Sequence, residues 1–465
     1  MKKRYINLAL LLIVILKNNI TAMGKNKENS NSILNILDLP TEILSKFIQK
    51  IIENHIIEWD GITDIKILEK IIMSDLKALF LTCQKFAQFN NKESLDYAMH
   101  TMENNLKLKI SIFIKNRQIN TKKLIAILDK PNINEENKQE ITYLIELGAD
   151  INVKNIFGNS LLMLAAKYDY TDIVRLLIHK SININNNDGT SALMLATRNN
   201  NIETVKLLIK SNVNINAKDN YGYNALILSA KKGYTDIVKL LITAGANIND
   251  KNIYNENAII WAAFYGHKDI VKLLIASGID VNIKDQHGYT ALISTIQRDY
   301  KGIVKLLIKA GADINTKNKY GYTALMSSAK YGHIKIIKLL IKSGANINAN
   351  NNNNSTALMR AARYGYKEIV ELLINSGANI NARNNKGITV LIYATLYGYT
   401  EIVELLITSG VDINAKDNEG NTALTWALFY NHQDIKKLLI KSGACIISKN
   451  IYRDNTSIIN EDNNI

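Results

Sequence analysis

The sequence predicts an all-helical repeat solenoid, made of helix-turn-helix units joined by hairpin loops, and three observations predict it. The first is a period. Leu193, Leu226, Ile259, Leu292, Leu325, Leu358, Leu391 and Leu424 each open an apolar run, every one 33 residues after the last, and a strict period of that length marks stacked supersecondary units. An earlier unit centred on Leu162 joins the series through a loop, HKSININNND, that is two residues shorter. The second is a column of Ser160, Ser191, Asn224, Asn257, Thr290, Thr323, Thr356, Thr389 and Thr422 just before each run. All are residues whose side chains accept a hydrogen bond from the orphan N–H groups of a helix start. The third is a pair of turn columns. Gly158, Gly189, Gly222, Asn255, Gly288, Gly321, Asn354, Gly387 and Gly420 precede the caps, and Asp169, Asn200, Gly233, Gly266, Asp299, Gly332, Gly365, Gly398 and Asn431 follow the first helices. These types reach positive φ at low cost.

Each element then follows in order. The cap opens the first helix, the second turn column folds the chain back, and the second helix begins with an acid in most units (Asp172, Glu203, Asp236, Asp269, Glu368, Glu401, Asp434). Lys180, Lys210, Lys309, Lys342 and Lys441 stand late in it, so both ends complement the helix dipole. Gly245, Gly278, Gly311, Gly344, Gly377, Gly410 and Gly443 are placed as left-handed C-caps. The N-I-N-A-K-D-N stretch after them is rich in turn formers; the heavy overall use of Asn, Ile and Lys reads as compositional drift.

The unit GYTALMSSAKYGHIKIIKLLIKSGANIN and its eight copies, from about Glu140 to Cys445, resemble the ankyrin repeat. The resemblance implies an ankyrin solenoid over 139–449, with nine clear repeats and a degenerate first one. One departure is systematic: the family's T-P-L-H reads T-A-L-M or similar here, so the proline and the packing histidine are absent. Ala is an excellent helix former, so the helix survives the change.

Composition bounds the rest. The 465 residues, 47% hydrophobic, leave room for more than one domain. A net charge of +15 permits binding to nucleic acid or acidic surfaces, but the lysines are spread through the repeats among Asp and Glu, which favours a solvated surface. Cys83 and Cys445 are far apart and form no redox or ligand motif.

The N-terminus places Lys2, Lys3 and Arg4 before an apolar run from Ile6 to Leu16. It is too short to span a bilayer and fits a signal peptide over 1–22, with an uncleaved interfacial anchor as the alternative. Export follows from the first, with no transmembrane segment after its removal. Over 33–90, Pro40 opens an amphipathic helix with Glu42 in its first turn, and SDLKALFLTCQKFAQF forms a second. LPTEIL followed by DLKALFLTCQKF resembles the F-box, through Leu39, Pro40, Ile43, Leu44, Leu76 and Cys83. That resemblance implies docking on the small adaptor of a cullin-type ubiquitin ligase. The intervening Asn54–Lys70 is longer than the family's pattern, and the bland alternative is a helical cap on the solenoid. Residues 91–138 read as a helical linker broken at Pro131, with NINEENKQE as a loop and ITYLIELGADIN as the second helix of a degenerate repeat. Residues 450–465 read as a disordered tail.

The chain lacks G-x-x-x-x-G-K-[ST], H-E-x-x-H, G-x-S-x-G and any Cys/His group with metal spacing. No catalytic residue, metal site or cofactor is expected. His267, His333 and His432 recur just after the inter-helix turn and read as structural. What remains is recognition. The two residues before each inter-helix turn line the concave face in the ankyrin family. Here they read Lys167-Tyr168, Arg198-Asn199, Lys231-Lys232, Phe264-Tyr265, Gln297-Arg298, Lys330-Tyr331, Arg363-Tyr364, Leu396-Tyr397 and Phe429-Tyr430, and six of the nine pairs end in Tyr. Tyr and Arg dominate binding hot spots. The partner-binding candidates are therefore Tyr168, Arg198, Lys231, Phe264, Tyr265, Arg298, Tyr331, Arg363, Tyr364, Tyr397 and Tyr430, with a packing ladder as the competing role for the tyrosines. The expected function is non-enzymatic binding of a protein partner by a monomer, recruiting it to a host ubiquitin ligase if the F-box-like segment is one. The alternatives are an exported scaffold without that link and a basic, nucleic-acid-binding repeat protein.

Overall fold

A computed structural model describes residues 115–147, 149–178 and 185–445. The expected signal segment over 1–22, the F-box-like positions Leu39, Pro40, Ile43, Leu44, Leu76 and Cys83, and the tail over 450–465 lie outside the described residues. The chain divides into two compact units between Asn187 and Asp188.

In the first unit, residues 115–128 are helical and are followed by helices Glu135–Glu146, Leu161–Lys167 and Thr171–Leu177. The start at Glu135 corrects the expectation of a loop through NINEENKQE. Asn134 accepts the Asn137 N–H at 2.8 Å and Asn137 returns the bond, a capping box that begins the helix six residues before the apolar ITYLI run. Periodicity could not see it, because the first turn of this helix faces water.

The second unit repeats one plan. Its first helices are Ala192–Arg198, Ala225–Lys232, Ala258–Tyr265, Ala291–Ser294, Ala324–Tyr331, Ala357–Arg363, Val390–Leu396 and Ala423–Phe429. Its second helices are Ile202–Lys210, Thr235–Thr243, Lys268–Ala276, Lys301–Lys309, Ile334–Lys342, Lys367–Asn375, Thr400–Thr408 and Gln433–Lys441. The expected caps all function: Thr323, for example, accepts the Met326 N–H at 3.3 Å. In the first helices almost every residue is buried, Ala324, Leu325, Met326, Ser328 and Ala329 among them. Each packs on its own second helix and on the first helix of the next repeat. The second helices bury one stripe, such as Ile237, Val238 and Leu241, each worth about 2 kcal/mol when withdrawn from water. Met326, which takes the place of the family's histidine, is itself core at 1% exposure.

One first helix departs from the plan. After Ala291–Ser294 the chain tightens into a 3-10 turn, Ile296–Arg298. Thr295 Oγ1 donates to the Leu292 carbonyl at 2.7 Å, a local side-chain bond of the kind that competes with the helical ladder.

Two hydrogen-bond ladders tie successive repeats together. In the hairpins the Asn220 N–H donates to the Asp188 carbonyl at 2.9 Å, and the same bond recurs from Ile253 to Tyr221, Gln286 to Tyr254, Lys319 to His287, Asn352 to Tyr320, Asn385 to Asn353 and Asn418 to Lys386. Near the second-helix ends, Asn216, Asn249, Asn282, Asn315, Asn348, Asn381 and Asn414 each offer Oδ1 to a backbone N–H 31 residues on. The asparagines that read as compositional drift are therefore the rungs of a ladder. An amide side chain at that position supplies an acceptor to the backbone of the next repeat.

Candidate partner-binding face

The residues before the inter-helix turns sit where the first helices end, and the turn that follows sets their surroundings. Gly233, Gly266, Gly332, Gly365 and Gly398 all have positive φ, which reverses the chain within one residue and returns the ring two positions on beneath the column residue. Tyr265 stacks on His267, Tyr331 on His333, Tyr364 on Tyr366, Tyr397 on Tyr399 and Tyr430 on His432, with centroids 6.0–6.5 Å apart and planes within 26°. The lower ring is the packing element: Tyr300 lies against Gly266, Tyr366 against Gly332 and Tyr399 against Gly365, each one repeat back. The column tyrosine is the upper layer. Packing against the neighbouring repeat thus falls on the ring two positions after the column residue.

The eleven expected residues are not equivalent. Arg298 is exposed, and Tyr265 is 39% exposed. Lys231, Phe264, Tyr331, Tyr364, Tyr397 and Tyr430 are half-buried. Arg198 is exposed but reaches back 3.1 Å to Asp219, whose other oxygen holds the hairpin through the Tyr221 and Tyr223 N–H groups. Arg363 is only 7% exposed, its guanidinium 5.8 Å from the Tyr393 ring and 5.9 Å from the Tyr397 ring. Tyr168 belongs to the first unit, where its hydroxyl donates to the Asp129 carbonyl at 3.4 Å.

The structure adds residues that the sequence reading missed. Trp261, Arg360, Tyr393 and Trp426 each stand four residues before a column tyrosine, one helical turn away, where side chains meet. Trp261 stacks on Tyr265 at 5.8 Å and 12°, and Trp426 on Tyr430 at 6.1 Å and 22°. That spacing was the available signal. Arg360, 3% exposed, lies 4.9 Å from the centre of the Tyr322 ring and donates to its hydroxyl.

The largest cluster gathers Tyr223, Lys231, Trp261, Phe264, Tyr265 and Arg298. Lys231 Nζ stands 3.7 Å from the Trp261 ring centre and 5.3 Å from that of Tyr223, and the Arg298 guanidinium 5.5 Å from Phe264. Phe264 meets Trp261 and Tyr265 edge-on. Burial, helped by the Glu256 carboxylate, pushes the Tyr223 phenol up to about 12. Burial pulls the Lys231 ammonium below its ordinary value although Glu256 opposes it. Among the described residues there is no group of His, Cys, Asp and Glu that could hold a metal ion, and no helix long and apolar enough to cross a membrane.

The family model described as ankyrin repeats (three copies) matches residues 132–219, 162–252, 226–318, 292–384 and 358–450. A comparison with curated proteins finds no match. Together the model's matches run from residue 132 to 450, well over half of the chain; such repeats are protein–protein interaction modules, and the chain belongs to the ankyrin-repeat proteins.

Proposed function

We propose that residues 188–445 bind a protein partner on the concave face that the ankyrin resemblance implies, through the column that ends the first helices. The observation that carries this reading is the column's chemistry. From Arg198 to Tyr430 the paired positions hold mostly Arg, Lys, Tyr and Phe, with Asn199, Gln297 and Leu396 and no acid, and their rings are stiffened by stacking. Rigid aromatic area with polar tips binds at low entropic cost. A photo-crosslinking residue placed at Arg298 or Lys330 should capture a partner that the same residue at Lys272 or Lys338, on exposed sides of second helices, does not. Equal capture from both faces would remove the reading.

A second proposal concerns the N-terminal segment and is supported by the LPTEIL and DLKALFLTCQKF stretches. The segment docks on the small adaptor of a cullin-type ubiquitin ligase, and the repeats select what is modified. The chain from Met23 to Ile465 should bind the purified adaptor saturably, and a Leu39→Ala, Pro40→Ala variant should lose that binding. No binding at high micromolar concentration leaves an ankyrin module without a ligase.

A further inference from the structure

The Trp261 cluster has hydrogen-bond donors to spare and few free acceptors. Among the described residues Lys231, Lys232 and Arg298 form no ion pair. Trp261 Nε1 is buried with no acceptor in reach. The acids in and around the cluster already hold other partners. Asp219 takes Arg198 and two backbone N–H groups. Glu256 takes the Asn252 amide at 2.6 Å and the Tyr223 hydroxyl at 3.5 Å, and Asp299 lies 3.8 Å from His333 Nδ1.

The rings also set where the two cations stand. Lys231 rests over Trp261, Trp261 meets Phe264 with centroids 6.3 Å apart, and Arg298 rests over Phe264. Those three legs, of 3.7, 6.3 and 5.5 Å, put the charges at most about 16 Å apart. An extended chain covers that distance in about five residues. Both side chains are long and flexible, so holding them over rings in advance removes part of the entropy a partner otherwise has to overcome. Lys231 is half-buried with no carboxylate of the described residues at ion-pair distance, although Glu256 acts on it from farther off, so a carboxylate that arrives at the ammonium adds to the gain.

We propose that this cluster anchors an extended acidic segment of the partner, with one carboxylate at Lys231 and a second, within about five residues of it, at Arg298. The aromatic flank of Trp261, Phe264 and Tyr265 takes an apolar side chain between them. This rests on the concave-face reading above and narrows it to a ligand chemistry. A bare phosphate polymer is the competing occupant; Tyr265 already stacks with Trp261 and with His267, which leaves less of its ring as a platform for bases.

The test is a selection of displayed random peptides, about 16 residues long, on the full chain, so that the probe spans the five-residue spacing several times over. The enriched peptides should carry pairs of Asp or Glu within a five-residue window around an apolar residue. A synthesised winner should bind at least about tenfold more weakly to a Lys231→Gln, Arg298→Gln variant, and its Asn/Gln version should lose as much on the unaltered chain. A Lys272→Gln, Lys338→Gln variant should leave binding unchanged, and circular dichroism should show every variant folded. A charge-reversed Lys231→Glu, Arg298→Glu chain should select Lys- and Arg-rich peptides instead. Enrichment without acidic pairs, acidic winners indifferent to the double variant, displacement by a single-stranded oligonucleotide, or no enrichment at all would each overturn the proposal. The crosslinking experiment at Arg298 and Lys330 judges the face itself, so the narrower claim can fail while the broader one stands.

Discussion

The phenol ring of Tyr300 lies directly on Gly266. A Cβ built on that glycine would stand 2.5 Å from Tyr300 Cζ, and its φ is +79°. Gly278, at φ +83°, has nothing within 4 Å of the same position. The two glycines share the backbone requirement and differ only in the ring. Gly278→Ala should therefore cost about 1 kcal/mol, the strain of a left-handed alanine. Gly266→Ala should cost about 3 kcal/mol, because the ring that joins the repeats must also move. Urea unfolding followed by circular dichroism compares them. Equal losses would mean that the ring contributes nothing to the stacking of repeats.

Asparagines of one repeat should differ in importance by their burial. Asn318 is 6% exposed and its Oδ1 accepts the Tyr320 and Tyr322 N–H groups at 3.0 and 2.9 Å. Asn318→Ala leaves two donors in a site that water enters poorly and should cost about 2 kcal/mol. Asn315 accepts the Asn346 N–H at 2.7 Å in an exposed position, where water replaces it, so Asn315→Ala should cost about 0.5 kcal/mol. Thermal unfolding of both variants checks the order.

Arg360 and Tyr322 should act as one unit. The guanidinium is 3% exposed and lies 4.9 Å from the ring centre while donating to the hydroxyl. Tyr322→Phe removes the acceptor and keeps the ring; Arg360→Met removes the charge and keeps most of the volume. The pair should show a coupling of about 1 kcal/mol in a double-mutant cycle. Additive losses would show that the guanidinium is held by its other contacts.

The Tyr223 phenol gives the alkaline limb of stability a specific origin. Its folded value is raised to about 12 by burial and by Glu256, from an ordinary 10.0. The folded chain therefore holds this proton more tightly than the unfolded chain does. The associated stability is fully present below pH 10 and is lost as pH rises from about 10 to about 12. A Tyr223→Phe variant should show a shallower loss across that window. The difference in ultraviolet absorbance between the two proteins should reveal one phenol titrating near 12; a midpoint near 10 would mean that the site is open to water.

Most of the architecture was legible in the sequence because repetition averages away local ambiguity. Thr323 alone is a weak helix signal; nine Ser, Thr and Asn caps in register, each bonded three residues on, leave one reading. The helix at Glu135 escaped because its signal is a single polar box at a boundary, with no copy elsewhere to confirm it. The broken helix at Ile296 escaped for a related reason: it turns on whether one threonine hydroxyl bonds its own backbone, and composition does not decide that.

By itself the sequence determined the period, the helix starts of the regular repeats, the left-handed turns and the column of Tyr, Arg and Lys that ends the first helices. These depend on interactions within four residues or on side-chain volume at a repeated position, and both are written in residue type. Only the tertiary structure decided which of those residues still offer surface. It buried Arg363 between two tyrosine rings, tied Arg198 to Asp219, set Trp261 beside Tyr265, and drew Lys231 from one repeat and Arg298 from another onto a shared aromatic flank. The physical reason is that these contacts, the Trp261–Tyr265 pair apart, join residues 21 to 34 positions apart, such as Arg198 with Asp219 and Arg363 with Tyr397. Their geometry follows from how one repeat seats on the next, and the pattern within a single repeat does not contain it.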